Sequence, residues 1–445
     1  MIAGLMKKLE ARKLLHKMVG NTLWQIVDKV LRLVAGLVVG VWVARYLGPT
    51  DFGQLNYAIA FVSLFGFIAD GGMQSVIIRE LVHRDGQRAH IVSSALALRL
   101  LGAFIAILIA ISMVKVLRHN DPDSVLLVEI ISLLLIPQAW DVIDYEHQAR
   151  LHSRPIVLTR AISFVLFSLF KIILILAHAG LSYFAWAVVG EAALSAVTMS
   201  FLPEARRSLT GFVSVRWAEV KYLLLTCWPL MIAGLSVMLY MRIDQLMLGQ
   251  MLGDRAVGTF SAAVRVSESW YFLPGAVISS VAPALTVTLR DSEQRFRQRL
   301  LSVTTLVCWM AVAIALVLSV TSRQVIGFLY GKNYADAGSV LIIHAWAGVF
   351  VSLGVASGPW FINHGILKLR MAQTIAGAGT NIVMNLLLIP RFGVTGAASA
   401  TLLSQAISAF VFNAFSARTR PLLVIQAKSL LLPLSVMSWQ RHRHN

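Results

Sequence analysis

Asn21, Gln25, Asp28, Arg32 and Gly36 follow one another at intervals of 4, 3, 4 and 4 residues. At 100° per residue they fall within about 80° of arc, one polar stripe along an otherwise apolar helix, with Lys29 at its edge. Ser261, Arg265, Glu268, Gly275 and Ser279 form a second such stripe, and Asn56, Ser63, Asp70 and Gln74 a weaker third. Lys171, Glu191 and Arg242 stand in further apolar stretches. Ionisable groups in such surroundings are costly, so they face a polar cavity or pair with one another. Asp28 with Arg32 (i,i+4) and Arg265 with Glu268 (i,i+3) have the spacing of self-satisfied salt bridges that fix helix packing. The cations as a group exceed what those pairs use: Lys29, Arg32, Lys171, Arg242 and Arg265 are five. A positive surplus against apolar walls suits an anionic substrate, above all a phosphate, which arginine binds in bidentate fashion. Lys171 has a second reading, as a side chain snorkelling to the interface. Asp70 and Glu191 fit proton or sodium sites; Asp28 and Glu268 complete the acids that either couple an ion or pair with a cation. Asp141, in DVIDYEHQAR, reads as structural.

The surroundings are set by composition. The chain has 445 residues, 58% hydrophobic and 13% charged, with a mean hydropathy of +0.74, against roughly 25% charged in a soluble domain. Apolar runs near the ~20 residues that span a bilayer recur throughout. They imply an all-α membrane protein of about 12 transmembrane helices. Lys and Arg divide 26 to 8 between the two sides, with 5 of the 39 inside spans. By the positive-inside bias both termini lie in the cytoplasm. The net charge of +18 is spread between spans rather than gathered in a patch, so nucleic acid is not expected as a partner. Cys227 and Cys308 lie within spans and read as packing residues. The first apolar run is followed by no small-residue cleavage site, so it does not read as a signal peptide. No G-x-x-x-x-G-K-[ST] loop and no zinc-ligand spacing occurs; no metal, cofactor or catalytic residue is expected. The loops are short, which argues against a membrane polymerase or ligase with a large outer catalytic loop.

An internal repeat organises the spans. LGPTDFGQLNYA from Leu47 and LGDRAVGTFSAA from Leu252 share L-G-x-x-x-Φ-G-x-Φ-x-x-A, where Φ is apolar, at an offset of 205 residues. AGLSYFAWA from Ala179 and FGVTGAASA from Phe392 echo one another at an offset of 213. Two echoes at similar offsets predict two six-helix bundles of the same orientation around a central cavity. The expected divisions are residues 1–210, residues 211–420, and an apolar and basic cytoplasmic or interfacial tail at 421–445.

NTLWQIVDKVLRLVAGLVVGVWVARYLGPTDFGQLNYAIAFVSLF resembles the opening of the polysaccharide-export flippases, Wzx-type members of the superfamily that includes MATE exporters and peptidoglycan-precursor flippases. RIDQLMLGQMLGDRAVGTFSAAVRVSESW is similar to the start of their second half, and NLLLIPRFGVTGAASATLLSQ to their late hairpin. The resemblance implies a non-enzymatic, multi-pass protein of the bacterial inner membrane. It implies translocation of undecaprenyl-pyrophosphate-linked oligosaccharide for O-antigen, capsule or exopolysaccharide synthesis, by alternating access. Membrane lipids, and a polysaccharide polymerase with its chain-length machinery, are the partners it implies. It carries over onto Asp28, Lys29, Arg32 and Arg265. The tail beyond Pro421 is shorter than in the longest members. The alternative is a MATE-like ion-coupled exporter of small molecules, which predicts an acidic cavity where this chain has a basic surplus.

Overall fold

In hydrocarbon a backbone must satisfy its own hydrogen bonds, and helices or closed barrels are the two ways of doing so. The computed structural model describes residues 2–203 and 215–431, with all their side chains except those at 2–31, 33, 34, 85, 229, 232 and 233. It is helical, with no strand among the described residues. Ten stretches of the described chain are long and apolar enough to cross a membrane. Ala35–His83 runs through the first two expected spans, while the seventh expected span lies outside the ten.

The chain forms two compact units, Met1–Tyr46 with Ala58–Leu235, and Leu47–Tyr57 with Ser236–Asn445. The first unit holds most of α1 (Ile2–Asp70), then α2 (Gln74–His83), α3 (Arg88–Leu117), α4 (Pro122–Ser132), α5 (Leu135–Gln138), α6 (Asp141–Ala149), α7 (Arg154–Leu176) and α8 (Leu181–Ser200). Helix α9 (Trp217–Met251) passes from the first unit into the second. The second continues with α10 (Asp254–Glu268), α11 (Phe272–Asp291), α12 (Glu293–Tyr330), α13 (Ala337–Ala356), α14 (Gly358–Asn363), α15 (Leu367–Phe392), α16 (Val394–Ala409) and α17 (Arg420–Leu431).

Helix α3 shows how such a sequence sorts its faces. Leu101, Phe104, Ile105 and Leu108 are exposed, as lipid-facing side chains are, while Gly102, Ala103, Ala106 and Ala110 are buried. Small residues let helices approach closely where no hydrophobic gain separates lipid from protein. A Cβ at Gly102 would crowd the Ile68 carbonyl of α1.

The first repeat is visible in the backbone. Gly48 (φ 75°, ψ 173°) interrupts α1, and Gly253 (φ 86°, ψ 178°) precedes α10 in nearly the same conformation. That region is open to glycine at little cost. Five residues on, Gly53 and Gly258 meet. A Cβ on Gly53 would overlap the Asp254 carbonyl, and one on Gly258 would overlap that of Pro49. The two copies therefore cross backbone to backbone inside the second unit. Gln250 Nε2 donates to the Tyr57 hydroxyl across the same contact (2.7 Å). The second echo matches in placement, since Gly180 and Gly393 both precede helices. Their conformations differ, extended at Gly180 and φ 60° at Gly393.

Two expected stripes are broken. Helix α1 ends at Asp70 because Gly71 and Gly72 both take positive φ, so Gln74 starts a new helix rather than continuing the face of Asn56, Ser63 and Asp70. A Cβ on Gly72 would press on Leu230 of α9. Likewise α10 ends at Glu268 and α11 begins at Phe272. Gly275 and Ser279 thus belong to a different helix from Ser261, Arg265 and Glu268. Pro274 in the first turn of α11 suits the interruption, since proline has no N–H to continue the hydrogen bonding of α10 and is favoured at a helix start.

Helix α17 is packed rather than peripheral within the second unit. Leu422 and Ile425 join a cluster with Phe296, Leu300, Trp360 and Phe361. Gln426 donates to the Ala409 carbonyl (3.0 Å) and accepts from Asn413 Nδ2 (2.9 Å).

Candidate functional site

Within the first unit α1, α5, α7 and α8 surround a cavity of about 440 Å³. Arg160, Ser163 and Lys171 reach it from α7; offsets of 3 and 8 residues put them on one helical face. At 1.5 Å per residue Arg160 and Lys171 stand about 16 Å apart along the axis. Glu191 and Ser195 (i,i+4) face them from α8, Asp141 from the start of α6, and Arg32 from α1. The Arg32 guanidinium lies over the Phe164 ring at 5.7 Å, and Gly36, one turn on, brings α1 up to that same ring. Three cations meet two carboxylates in the lining.

Each carboxylate holds a cation. Lys171 Nζ donates to Glu191 Oε2 at 2.9 Å. Arg160 binds Asp141 and Asp144, both at 2.8 Å. Asp141 also lies 3.7 Å from Arg99, which is 3% exposed, and Arg99 reaches Asp70 at 3.3 Å and donates to the Tyr145 hydroxyl at 2.7 Å. A chain of charges therefore joins the cavity to Asp70, the last residue of α1 before the Gly71–Gly72 break.

The structure brings Arg32, Lys171 and Glu191 together and places Asp70 in the adjoining network. Asp28 and Lys29 lie among residues whose side chains are outside those described. Arg242, Arg265 and Glu268 are in the second unit. No ion pair joins Arg265 to Glu268 among the described residues. The Arg265 guanidinium lies over the Phe52 ring at 5.5 Å, and Arg242 is within electrostatic reach of both Arg265 and Glu268. Glu268 instead lines a second cavity of about 330 Å³.

That second cavity also contains Asp244, which sequence reasoning passed over. Asp244 is 4% exposed and accepts from Thr401 Oγ1 (2.6 Å) and Asn385 Nδ2. Asn385 Nδ2 also donates to Asn381 Oδ1 (3.0 Å), and Asn385 Oδ1 is buried with no donor. No cation pairs with Asp244 among the described residues. The signal was available: an Asp inside the apolar run RIDQLMLG, with Asn381 and Asn385 one turn apart on a later span. Arg99 and Arg160 were missed differently. Arg99 stands alone in a run of aliphatics, and Arg160 reads from sequence as part of a charged loop.

Comparison with known proteins follows this geometry. The family described as "Polysaccharide biosynthesis protein" matches residues 42–339. The probable flippase AglR of Haloferax volcanii is 28% identical over 234 residues, 50% of this chain and 45% of that protein, so the chain spans less than half the length of this relative. The lipid II flippase MurJ, in an inward closed conformation, superimposes with a TM-score of 0.68 at 15% identity, covering 95% of this chain and 93% of MurJ. An inward-facing multidrug resistance MATE family transporter gives 0.68 at 16% identity, over 90% of this chain and 96% of that one. The fold is thus that shared by MurJ and the MATE transporters, and with two thirds of its length matched the chain belongs to the polysaccharide biosynthesis protein family.

Proposed function

We propose that this protein is a flippase of the bacterial cytoplasmic membrane. It carries polyprenyl-pyrophosphate-linked oligosaccharide from the inner to the outer leaflet by alternating access, and a polymerase with its chain-length machinery takes the product outside. A diphosphate cannot cross about 30 Å of hydrocarbon unaided. The supporting observation is the cavity of the first unit, where Arg32, Arg160 and Lys171 converge beside serine hydroxyls. Arg160 and Lys171 are held by carboxylates, so the diphosphate binds there by partner exchange. Its oxygens replace Glu191 at Lys171 and Asp141 at Arg160, and the polyprenyl tail stays in lipid. No covalent bond is broken.

The likeness to the probable flippase AglR and to the lipid II flippase MurJ supports this reading. A second reading, an ion-coupled exporter of small molecules, has Asp244 in its favour. A buried carboxylate with no cationic partner costs several kcal/mol unless it takes up a proton or a metal cation. Oxygens of Asp244, Asn385 and Thr401 make a suitable set for either. The same group serves a flippase as the point where an ion gradient enters.

The test is deletion and complementation in the native host, reading the leaflet of lipid-linked oligosaccharide with a membrane-impermeant glycosidase. Cytoplasm-facing accumulation is expected without the gene, rescued by wild type and not by Arg32→Ala/Lys171→Ala. Normal outward exposure in the deletion strain removes the flippase reading and favours the exporter.

A further inference from the structure

The two cavities differ in chemistry. Among the described residues the lining of the first has no aromatic side chain and carries more cations than acids. The second presents Tyr240, Tyr271 and Phe260, the carboxylates of Asp244 and Glu268, and the amide of Gln405. Among the described residues its lining has two basic groups, and both are hydrogen-bonded. Arg370 donates to Gln373 Oε1 (2.9 Å), meets the Ser357 hydroxyl (3.4 Å) and lies over the Phe361 ring at 5.5 Å. His344 pairs with the Ser267 hydroxyl at 2.9 Å. Among the described lining residues an anion entering here would meet two carboxylates and one guanidinium, that of Arg370.

A pyranose ring offers complementary features. One face is a patch of C–H groups that packs on an aromatic ring; its rim is a circle of hydroxyls that both donate and accept. Carboxylates and amides are the side chains that accept from such hydroxyls, and phenols complete the set. Glu268 forms no hydrogen bond or ion pair among the described residues and opens onto the cavity. Tyr240 and Tyr271 offer the cavity their rings, while their hydroxyls are buried beside Ser404 and Ser408 and beside Ser267. Polar groups left unsatisfied beside a cavity are best explained by a ligand that satisfies them. About 330 Å³ lies at the small end of ligand pockets, which run from roughly 300 to 1,000 Å³, and so suits one or two sugar rings.

We infer that the cavity of the second unit is a carbohydrate site, which takes uncharged sugar of the substrate's glycan through Tyr240, Tyr271, Glu268 and Gln405. This rests on the flippase reading, which it deepens: the diphosphate is bound by the cations of the first unit, and glycan selectivity resides in the second.

The experiment reconstitutes the full chain in proteoliposomes and measures translocation of two fluorescent probes. One is a short-chain polyprenyl diphosphate without sugar; the other is the same lipid bearing a neutral tetrasaccharide. The variants are Tyr271→Leu, which removes the aromatic face, and Gln405→Ala. The expected result is at least a fivefold fall in the ratio of glycosylated to sugar-free transport in each variant, and loss of free-tetrasaccharide contact in saturation-transfer NMR. Thermal melts of both variants confirm that they are folded; should Tyr271→Leu fail, Gln405→Ala and the NMR readout decide. Equal slowing of the two probes overturns the carbohydrate site and leaves the flippase reading standing. A wild-type protein that moves neither probe overturns both.

Discussion

The Lys171–Glu191 pair gives the sharpest test of how the first cavity holds an anion. Glu191→Gln keeps the shape of the side chain and removes one negative charge. Three cations then face one carboxylate instead of two in the lining. A sphere of 440 Å³ has a radius of about 5 Å, so a bound anion stands on the order of 6 Å from a carboxylate on the wall. The repulsion removed is about 2.8 kcal/mol at an effective dielectric of 20 and about 0.7 kcal/mol in the limit of water. Glu191 is 21% exposed at the side chain, between those limits, so binding should tighten about threefold to a hundredfold for each negative charge on the headgroup. Lys171→Met should weaken binding by a similar factor, and the double variant, with the original net charge, should return close to wild type. Titration of farnesyl diphosphate into purified protein by calorimetry, at low and high salt, reads all four forms. Tighter binding should also slow release, so Glu191→Gln is expected to export less glycan than wild type while binding more. If both single variants weaken binding, the pair is scaffolding and the partner-exchange mechanism is wrong.

Three further outcomes can be checked by thermal or denaturant melts in detergent. Arg99→Met should destabilise the first unit by about 2–4 kcal/mol. The main loss is the charged hydrogen bond to Tyr145, worth about 1.5–3 kcal/mol; Asp70 is half-exposed and Asp141 keeps Arg160, so neither is left stranded. Gly258→Ala should cost about 1–3 kcal/mol by overpacking, although alanine is the better helix former; a Gly258→Ala protein as stable as wild type would contradict the backbone crossing. Burial alone would raise the Asp121 carboxyl, but bonds from Ser124 and the Arg118 guanidinium outweigh it and hold the group below the usual Asp value. A depressed folded-state pKa stabilises above the unfolded-state value and is lost as pH falls through the folded one. Asp121→Ala should therefore cost about 1 kcal/mol of helix capping near pH 7, shrinking towards nothing as pH drops below the normal Asp range; a constant difference down to pH 2 would rule this out.

Much of the fold was legible because apolar runs of bilayer length leave strong marks in sequence. The Leu47 and Leu252 copies were legible down to backbone conformation, since only glycine tolerates the geometry that Gly48 and Gly253 adopt. Straight stripes were the weak point. Extrapolating 100° per residue through Gly71–Gly72, or past Pro274, assumed continuity that those residues deny. The site was partly legible for a related reason. Arg32, Lys171 and Glu191 announce themselves by the cost of charge in an apolar run, but which charges meet depends on helix rotation. The i,i+3 spacing of Arg265 and Glu268 suggested a pair, and the structure turns one towards Phe52 and the other into a cavity. Asp141 read as structural from its polar neighbours, yet it lines the first cavity, because α6 begins there and aims its first turn inward.

The pairing of the cavity cations has a physical rationale beyond packing. Several unpaired cations in a low-dielectric recess would each carry a desolvation cost of several kcal/mol, and an anion that relieved all of it would be held too tightly to leave. Carboxylates at Lys171 and Arg160 remove that cost in the unloaded protein. The net attraction for a diphosphate is then a difference between two sets of ion pairs, smaller than either. A carrier needs this balance, since binding must be favourable enough to admit the headgroup and weak enough to let it go. On this view the acids are as much part of the anion site as the bases. Removing one should improve binding at the expense of transport, which is the opposite of what removing a ligand-binding residue ordinarily does.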